Sequence, residues 1–205
     1  TGLKTFAVCS NGMEFEAAHF LKGEKRKIKL LSRKLSKKKK GSKAFNETKT
    51  RIAKVHSKVS RKRLDYLHKI THRLTHENQV STICVEDLNV KGMVRNKHLA
   101  YDIGDAGIGM FYTLLAYKCN WYGIKLAKID RFKPSSKQGS CCGKRNKTLT
   151  LSVRQWTCPV CGINHDRDYN ASVNIRNFGL ETLRMERAEV KPVECPLVDD
   201  RASAP

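Results

Sequence analysis

Residues 156–172 read WTCPVCGINHDRDYNAS, and two chemistries meet inside this one stretch. Cys158 and Cys161 form a C-x-x-C knuckle, and a dense group of acids and amides follows within a few positions. Two thiolates on a tight turn are half of a tetrahedral zinc site, whose other half is a second Cys pair about fifteen to twenty residues upstream. That upstream pair is incomplete. The segment SSKQGSCCGK at 135–144 supplies Cys142 followed by Gly143, but Gly139 stands where the first cysteine belongs, with Cys141 adjoining as a substitute. Just beyond the knuckle, the acids open a helix expected over about Asp168 to Asn177. A metal ribbon set directly against an acid-bearing helix is the constraint that the rest of the sequence has to fit.

Upstream, TFAVCSNGMEFEA at 5–17 holds two short β-prone runs joined by Asn11-Gly12, a strong hairpin signal. From Leu21 the period becomes helical. Leu21, Ile28, Leu31 and Leu35 share one face until Lys37 to Lys40 and Gly41-Ser42 interrupt it. A second helix carries Ile52, Val55, Val59, Tyr66, Ile70 and Leu74 at steps of three and four, skipping one turn at Arg63, so the two helices are expected to pair. VSTICV at 80–85 reads as a buried strand ending on Glu86-Asp87, and acids at a strand's C-terminal edge face the ligand crevice of an open α/β sheet. A helix from near Ala106 to Trp121 puts Phe111, Leu114, Leu115 and Lys118 on one side; Gly123 ends it, and Ile124 to Ile129 forms another strand. Residues 181–205 sustain no period, contain prolines, and are expected to be a disordered tail.

The chain has 205 residues with 41 Lys and Arg against 19 Asp and Glu, and a net charge of +22 makes a polyanion the expected partner. The helical pair concentrates these cations with few acids to balance them, unlike a solvated face of mixed sign. Lys37, Lys38, Lys39, Lys40, Arg51, Arg61, Lys62 and Arg63 are the expected phosphate contacts. His68, His72 and His76 fall at i, i+4 and i+8 without an acidic partner and read as a polar stripe. No apolar run reaches the roughly 18 residues that span a bilayer, and no signal peptide is visible, so no membrane partner is expected. Eight cysteines, four of them clustered between Cys141 and Cys161, suit a reducing cytoplasm better than a disulfide framework. Cys9, Cys84 and Cys119 read as small buried hydrophobes.

Hairpin, helices, strand with terminal acid, helix, strand, insertion and acid-bearing helix is the element order of an α/β, ribonuclease H-like fold. There, carboxylates from separate elements converge on two magnesium ions, because in-line attack on a phosphodiester builds charge on both the entering and the leaving oxygen. Glu86 and Asp168 have the required placement. Asp166 lies only two residues before Asp168, and Asp87 points away from Glu86 if the strand runs through it. VEDLNVKGM at 85–93, DAGIGMF at 105–111, DRFKPSSK at 130–137 and HDRDYNASVNI at 165–175 together resemble TnpB, the OrfB-type family of transposon-encoded, RNA-guided DNA endonucleases related to the type V CRISPR effectors. The resemblance runs nearly continuously from Thr1 to about Leu180.

This resemblance implies a RuvC-like nuclease core over 1–132 with its basic helical hairpin at about 21–78, a zinc-ribbon insertion over 133–164, and a final RuvC-like helix over 165–180. It implies that Glu86 is the catalytic glutamate of the second RuvC motif and Asp168 the aspartate of the third, with Asn170 and Asn174 orienting the carboxylate or its metal water. Mg2+ at those carboxylates, structural Zn2+ on Cys142, Cys158 and Cys161, and DNA and guide RNA as partners follow in the same way, sequence being read by base pairing. Two departures stand out. The family's first motif is a strand ending in Asp-x-Gly, and Thr1-Gly2-Leu3-Lys4-Thr5-Phe6 begins just after that aspartate, so the chain is expected to be the C-terminal half of a nuclease and inactive alone. Gly139 removes one zinc cysteine, leaving Cys141, His165 or water as the fourth ligand. Two other readings compete: a catalytically dead nucleic-acid-binding remnant or regulator that uses the basic helices alone, and a DNA strand transferase, which the fold by itself permits.

Overall fold

Asn11-Gly12 turns the chain as its sequence demands. Gly12 takes φ +85, a backbone region open to glycine, and joins β1 (Thr5–Val8) to antiparallel β2 (Glu14–Glu16) with Ala7 opposite Phe15. The computed structural model describes residues 2–147, 149–150 and 152–189. After the hairpin come α1 (Phe20–Ser36) and α2 (Lys43–His72). Leu21, Ile28, Leu31 and Leu35 are half-buried on the face that α1 turns to its neighbour, as their spacing predicts. Gly41 (φ +80) makes the bend between the two helices, and Ser42 caps α2 by accepting from the Phe45 N–H at 3.2 Å.

His19, at the start of α1, makes no side-chain cap. The cap comes from far along the chain. The Asp105 carboxylate, only 1% exposed, accepts from the Leu21 N–H at 2.8 Å and the Lys22 N–H at 3.1 Å. Arg63 of α2 completes the knot, donating from Nη2 to Asp105 Oδ1 at 3.1 Å and from Nε to the Asp105 carbonyl at 2.7 Å. This explains the turn skipped in the apolar face of α2, and it corrects one expectation: Arg63 is held inside the protein and is not a free phosphate contact. Leu67, which the sequence reading passed over, is fully buried beside it. Beyond His72 the helix widens into a π-helical turn, Arg73–Glu77, in which the Thr75 hydroxyl donates to the Thr71 carbonyl.

β3 (Thr82–Glu86) and β4 (Lys125–Ile129) pair in parallel, Glu86 opposite Ile129, so a long crossover has to link them. It consists of α3 (Val90–Arg95), α4 (Ala100–Ala106) and α5 (Ile108–Trp121). The sequence foresaw α5 but neither α3 nor α4. Gly107 (φ +70) breaks α4 from α5, and a Cβ there would meet Arg63 Cδ at 2.8 Å. Phe111, Leu114, Leu115 and Lys118 are all buried along α5; Lys118 Nζ donates to the His68 carbonyl at 2.8 Å, and burial lowers its pKa. Phe6, Phe15, Leu67, Ile70, Ile103 and Phe111 belong to the main core, where Phe6 meets Phe111 edge-on at 5.2 Å.

The chain closes with β5 (Gln155–Thr157), antiparallel β6 (Asn164–Asp166) and α6 (Arg167–Glu189), which packs on β3 and β4. Gly179 allows that approach, since a Cβ there would sit 2.4 Å from Cys84 Sγ. The helix runs past Leu180, where a tail without structure was expected; residues 190–205 of that expected tail lie outside the described residues. The α/β composition is as anticipated, and the elements that the sequence named follow in the expected order with α3, α4, β5 and β6 added. Among the described residues, however, the strands pair as three two-stranded sheets and not as one open sheet. A cavity of about 270 Å³ lined by Ala7, Cys9, Cys84, Glu86 and Phe111 lies between the β1 hairpin and β3. Among the described residues, no helix is long and apolar enough to cross a membrane.

Removing one member of a buried ion pair strands the other, so Asp105→Ala is expected to lower the unfolding free energy by about 3–5 kcal/mol in a urea titration. A loss under about 1 kcal/mol would mean that the knot does not hold α1 and α2 in place.

Candidate functional site

Glu86 ends β3 half-buried at the rim of the cavity beside the hairpin. Its Oε1 accepts from the Ser135 hydroxyl at 2.6 Å, which fixes the carboxylate against the loop that enters the Cys segment. The alternation of the strand separates its neighbour: Asp87 pairs with Arg131 on the surface. Asp168 sits in the first turn of α6, where the helix dipole favours a negative charge. Both of its oxygens are taken by Arg154 Nη1, at 3.2 and 2.9 Å. Asp166 has a separate task, since its Oδ1 accepts from the Asp168 and Tyr169 N–H groups at 3.0 and 2.9 Å and so caps α6. Among the described residues, neither Glu86 nor Asp168 belongs to a group of three or more side chains placed to hold a metal.

Asn170 and Asn174 project from α6, 1% and 3% exposed. They do not orient a carboxylate directly, as the sequence reading had them do. Asn170 Nδ2 donates to the Gln138 carbonyl at 2.7 Å, and its Oδ1 accepts from the Ser140 N–H at 2.8 Å. Asn174 Nδ2 donates to the Ser135 and Gln138 carbonyls at 2.7 and 2.6 Å. Every one of these partners is backbone of the loop before Cys142. The amides therefore clamp that loop to α6, and through Ser135 they act on Glu86 at one remove.

The Cys segment folds as two matching knuckles. In the second, the Cys158 N–H donates to the Ile163 carbonyl at 2.8 Å, the Gly162 N–H donates to the Cys158 carbonyl at 2.9 Å, and Gly162 has φ +70. The first repeats this pattern. The Gly139 N–H donates to the Lys144 carbonyl at 3.0 Å, the Gly143 N–H donates to the Gly139 carbonyl at 2.8 Å, and Gly143 has φ +71. The sulfurs of Cys142, Cys158 and Cys161 lie within 4.8 Å of one another, Cys142 and Cys158 at 3.6 Å. Thiolates on a tetrahedral zinc stand about 3.8 Å apart, so this donor set fits that ion. Hydrogen bonds from the Cys161 and Val160 backbone lower the Cys158 pKa to about 7, which favours the thiolate that a metal needs. Cys141 is exposed and stands outside the group, so it is not the fourth corner.

On the basic helices, Lys37, Lys39, Lys40, Arg51, Arg61 and Lys62 are exposed, and none is drawn into an ion pair among the described residues. Lys38 differs, its Nζ donating to the Ala44 carbonyl and to Thr48 Oγ1 and so bracing the start of α2. Sequence reasoning missed Ser135 and Arg154 as partners of the two carboxylates. Ser135 lay inside the quoted DRFKPSSK, but nothing near Arg154 marks it out.

Residues 1–97 match the family model described as OrfB_IS605, "Probable transposase", and residues 109–175 match "Cas12f1-like, TNB domain". A protein of Streptomyces pristinaespiralis that provisionally bears the name RNA-guided DNA endonuclease is 38% identical over 179 residues, which make up 87% of this chain and 44% of that protein. InsQ of Escherichia coli (strain K12), provisionally given the same description, is 31% identical over 193 residues, 87% of this chain and 47% of InsQ. The chain thus spans less than half the length of either relative. Among solved structures, a chain in the cryo-EM structure of a Cas12f1-sgRNA-target DNA complex shares the fold with a TM-score of 0.56 at 20% identity, over 80% of this chain and 43% of that one. Two family models in consecutive order, relatives with the same description and a common fold lead to one conclusion: the chain belongs to the OrfB family, also called TnpB.

Proposed function

We propose that this chain carries the ribonuclease H-like, RuvC-type phosphodiester-cleaving centre of an RNA-guided DNA endonuclease, with Glu86 and Asp168 as its carboxylates. The observation that carries the reading is the placement of the two acids. Glu86 ends a parallel strand, Asp168 opens the helix packed on that strand, and Ser135 and Arg154 from the intervening segment hold them. Carboxylate oxygens suit Mg2+, which when bound would supply positive charge to the phosphate oxygens of the scissile bond. Ser135 and the two asparagines keep Glu86 in one orientation. Arg154 neutralises Asp168, so any cation that takes up this carboxylate competes with the guanidinium.

In this reading residues 133–164 form a ribbon holding structural zinc, and the helical pair contacts the phosphates of DNA or guide RNA. The working compartment is a prokaryotic cytosol or nucleoid, where the thiols stay reduced. The dead-remnant and strand-transferase readings have no observation of their own in their favour.

The test is a chimera in which this chain replaces the matching part of the Streptomyces pristinaespiralis relative, assayed with that relative's guide RNA and Mg2+. Target cleavage is expected, and Glu86→Gln or Asp168→Asn is expected to reduce it on the order of 10³-fold with guide binding unchanged. Cleavage that survives both substitutions would sink the assignment; binding without any cleavage in the unsubstituted chimera would favour a remnant. For the basic helices, replacing Lys37, Lys39 and Lys40 with Gln is expected to weaken nucleic-acid binding uniformly across sequences. The slope of log K against log salt should fall by about 0.9 for each phosphate that the variant no longer neutralises. An unchanged slope would remove the α1–α2 turn from the interface.

A further inference from the structure

The two knuckles share one hydrogen-bond pattern, and in that pattern residue 139 occupies the place that Cys158 holds in the other. Three corners of the ribbon's metal site are sulfur, and the fourth belongs to a residue with no side chain. A Cβ built on Gly139 would point into the group, 3.5 Å from Cys142 Sγ. It would also lie 3.5 Å from His165 Nε2. His165 is on β6, 6% exposed, tilted against the Trp156 ring with centroids 4.7 Å apart. Its Nε2 is buried without a hydrogen-bond partner. A buried imidazole nitrogen left in that condition is costly, and a metal is the partner it is chemically suited to take.

We propose that His165 supplies, through Nε2, the fourth ligand of the metal held by Cys142, Cys158 and Cys161, replacing the cysteine that Gly139 lacks. The inference rests on reading the ribbon as a metal site and goes beyond it by naming the ligand set, three sulfurs and one nitrogen. The sulfurs already stand together, while His165 lies outside that group with a Gly139 Cβ position between its Nε2 and Cys142 Sγ, so a closing movement of the ring accompanies ligation. Water is the alternative fourth ligand. A bound water could pair with Nε2 only as a hydrogen-bond donor, whereas direct ligation gives the Cys3His set, an established structural zinc arrangement.

The test uses the full chain, reconstituted with Co2+ as a spectroscopic probe and with Zn2+ for X-ray absorption and chelator competition. The chain is expected to bind one Co2+ with sulfur-to-cobalt charge-transfer bands and tetrahedral ligand-field bands, and the zinc edge should report three sulfur neighbours and one nitrogen. His165→Phe keeps a ring against Trp156 but cannot ligate, and it is expected to weaken binding by at least about tenfold. Unchanged affinity and an unchanged ligand-field spectrum in His165→Phe would overturn the proposal, with water as the fourth ligand. Gly139→Cys added to His165→Phe is expected to restore tight binding with a four-sulfur spectrum. Such restoration also excludes simple misfolding of the single variant, and its failure would show that residues 139 and 165 do not share one corner. If the unsubstituted chain binds neither metal, the reading of the ribbon as a metal site falls and this inference falls with it, whereas the nuclease reading stands on its own cleavage assay.

Discussion

Two asparagine side chains on α6 hold the candidate site together. Asn170 and Asn174 are almost wholly buried, and together they engage Ser135, Gln138 and Ser140 through the backbone. A primary amide can donate and accept at once, so it pins an irregular loop without bringing a charge into the interior. Leaving such buried groups unpaired would cost about 1–3 kcal/mol each, which makes the loop's path nearly obligatory once α6 has packed on β3 and β4. The carboxylate of Glu86 inherits its orientation from that path through Ser135. The first knuckle inherits its position from it as well.

The fold around this clamp was legible wherever the signal was local or periodic. Gly12 and Gly41 mark turns that the structure makes at positive φ, the apolar face of α5 is buried, and that of α1 is half-buried. What escaped reading depends on partners far apart in sequence. Asp105 binds Arg63 across 42 positions and the start of α1 across 84, and no window along the chain contains that relationship. The gap at Arg63 in the apolar period of α2 was its trace, since a charged residue at an inward position calls for a buried counter-charge. Charge alone also misassigned Arg63 and Lys38. Composition can identify a basic surface, but only geometry tells which cations already have work inside the fold.

The candidate site divides in the same way. Glu86 and Asp168 could be chosen by position, because strand ends and helix starts are visible in sequence. Their partners could not. Asn170 and Asn174 were read as supporting a carboxylate, but in the structure their hydrogen bonds go to the loop. The reason is directional: four positions apart on a helix they share one face, and that face meets the ribbon's entry loop. Gly139 looked like damage in the sequence. In the structure, its knuckle keeps the hydrogen bonds of an intact one, so the loss is confined to a side chain.

The cysteine segment and the candidate carboxylates are therefore mechanically joined. Among the described residues, the segment's own buried cluster contains only Leu149, Trp156 and Cys158 with Cys161 packed beside them, a small apolar core for a module of this length. A structural metal normally makes up that deficit, because its binding energy is folding energy. Arg154, which holds Asp168, and Ser135, which holds Glu86, both lie in the same segment as the cysteines. Whatever fills the fourth corner of the cysteine group then sets more than the stability of a small appendage. In the proposed reading it also bears on how firmly two carboxylates on different elements are held, which is the precondition for the in-line chemistry proposed there.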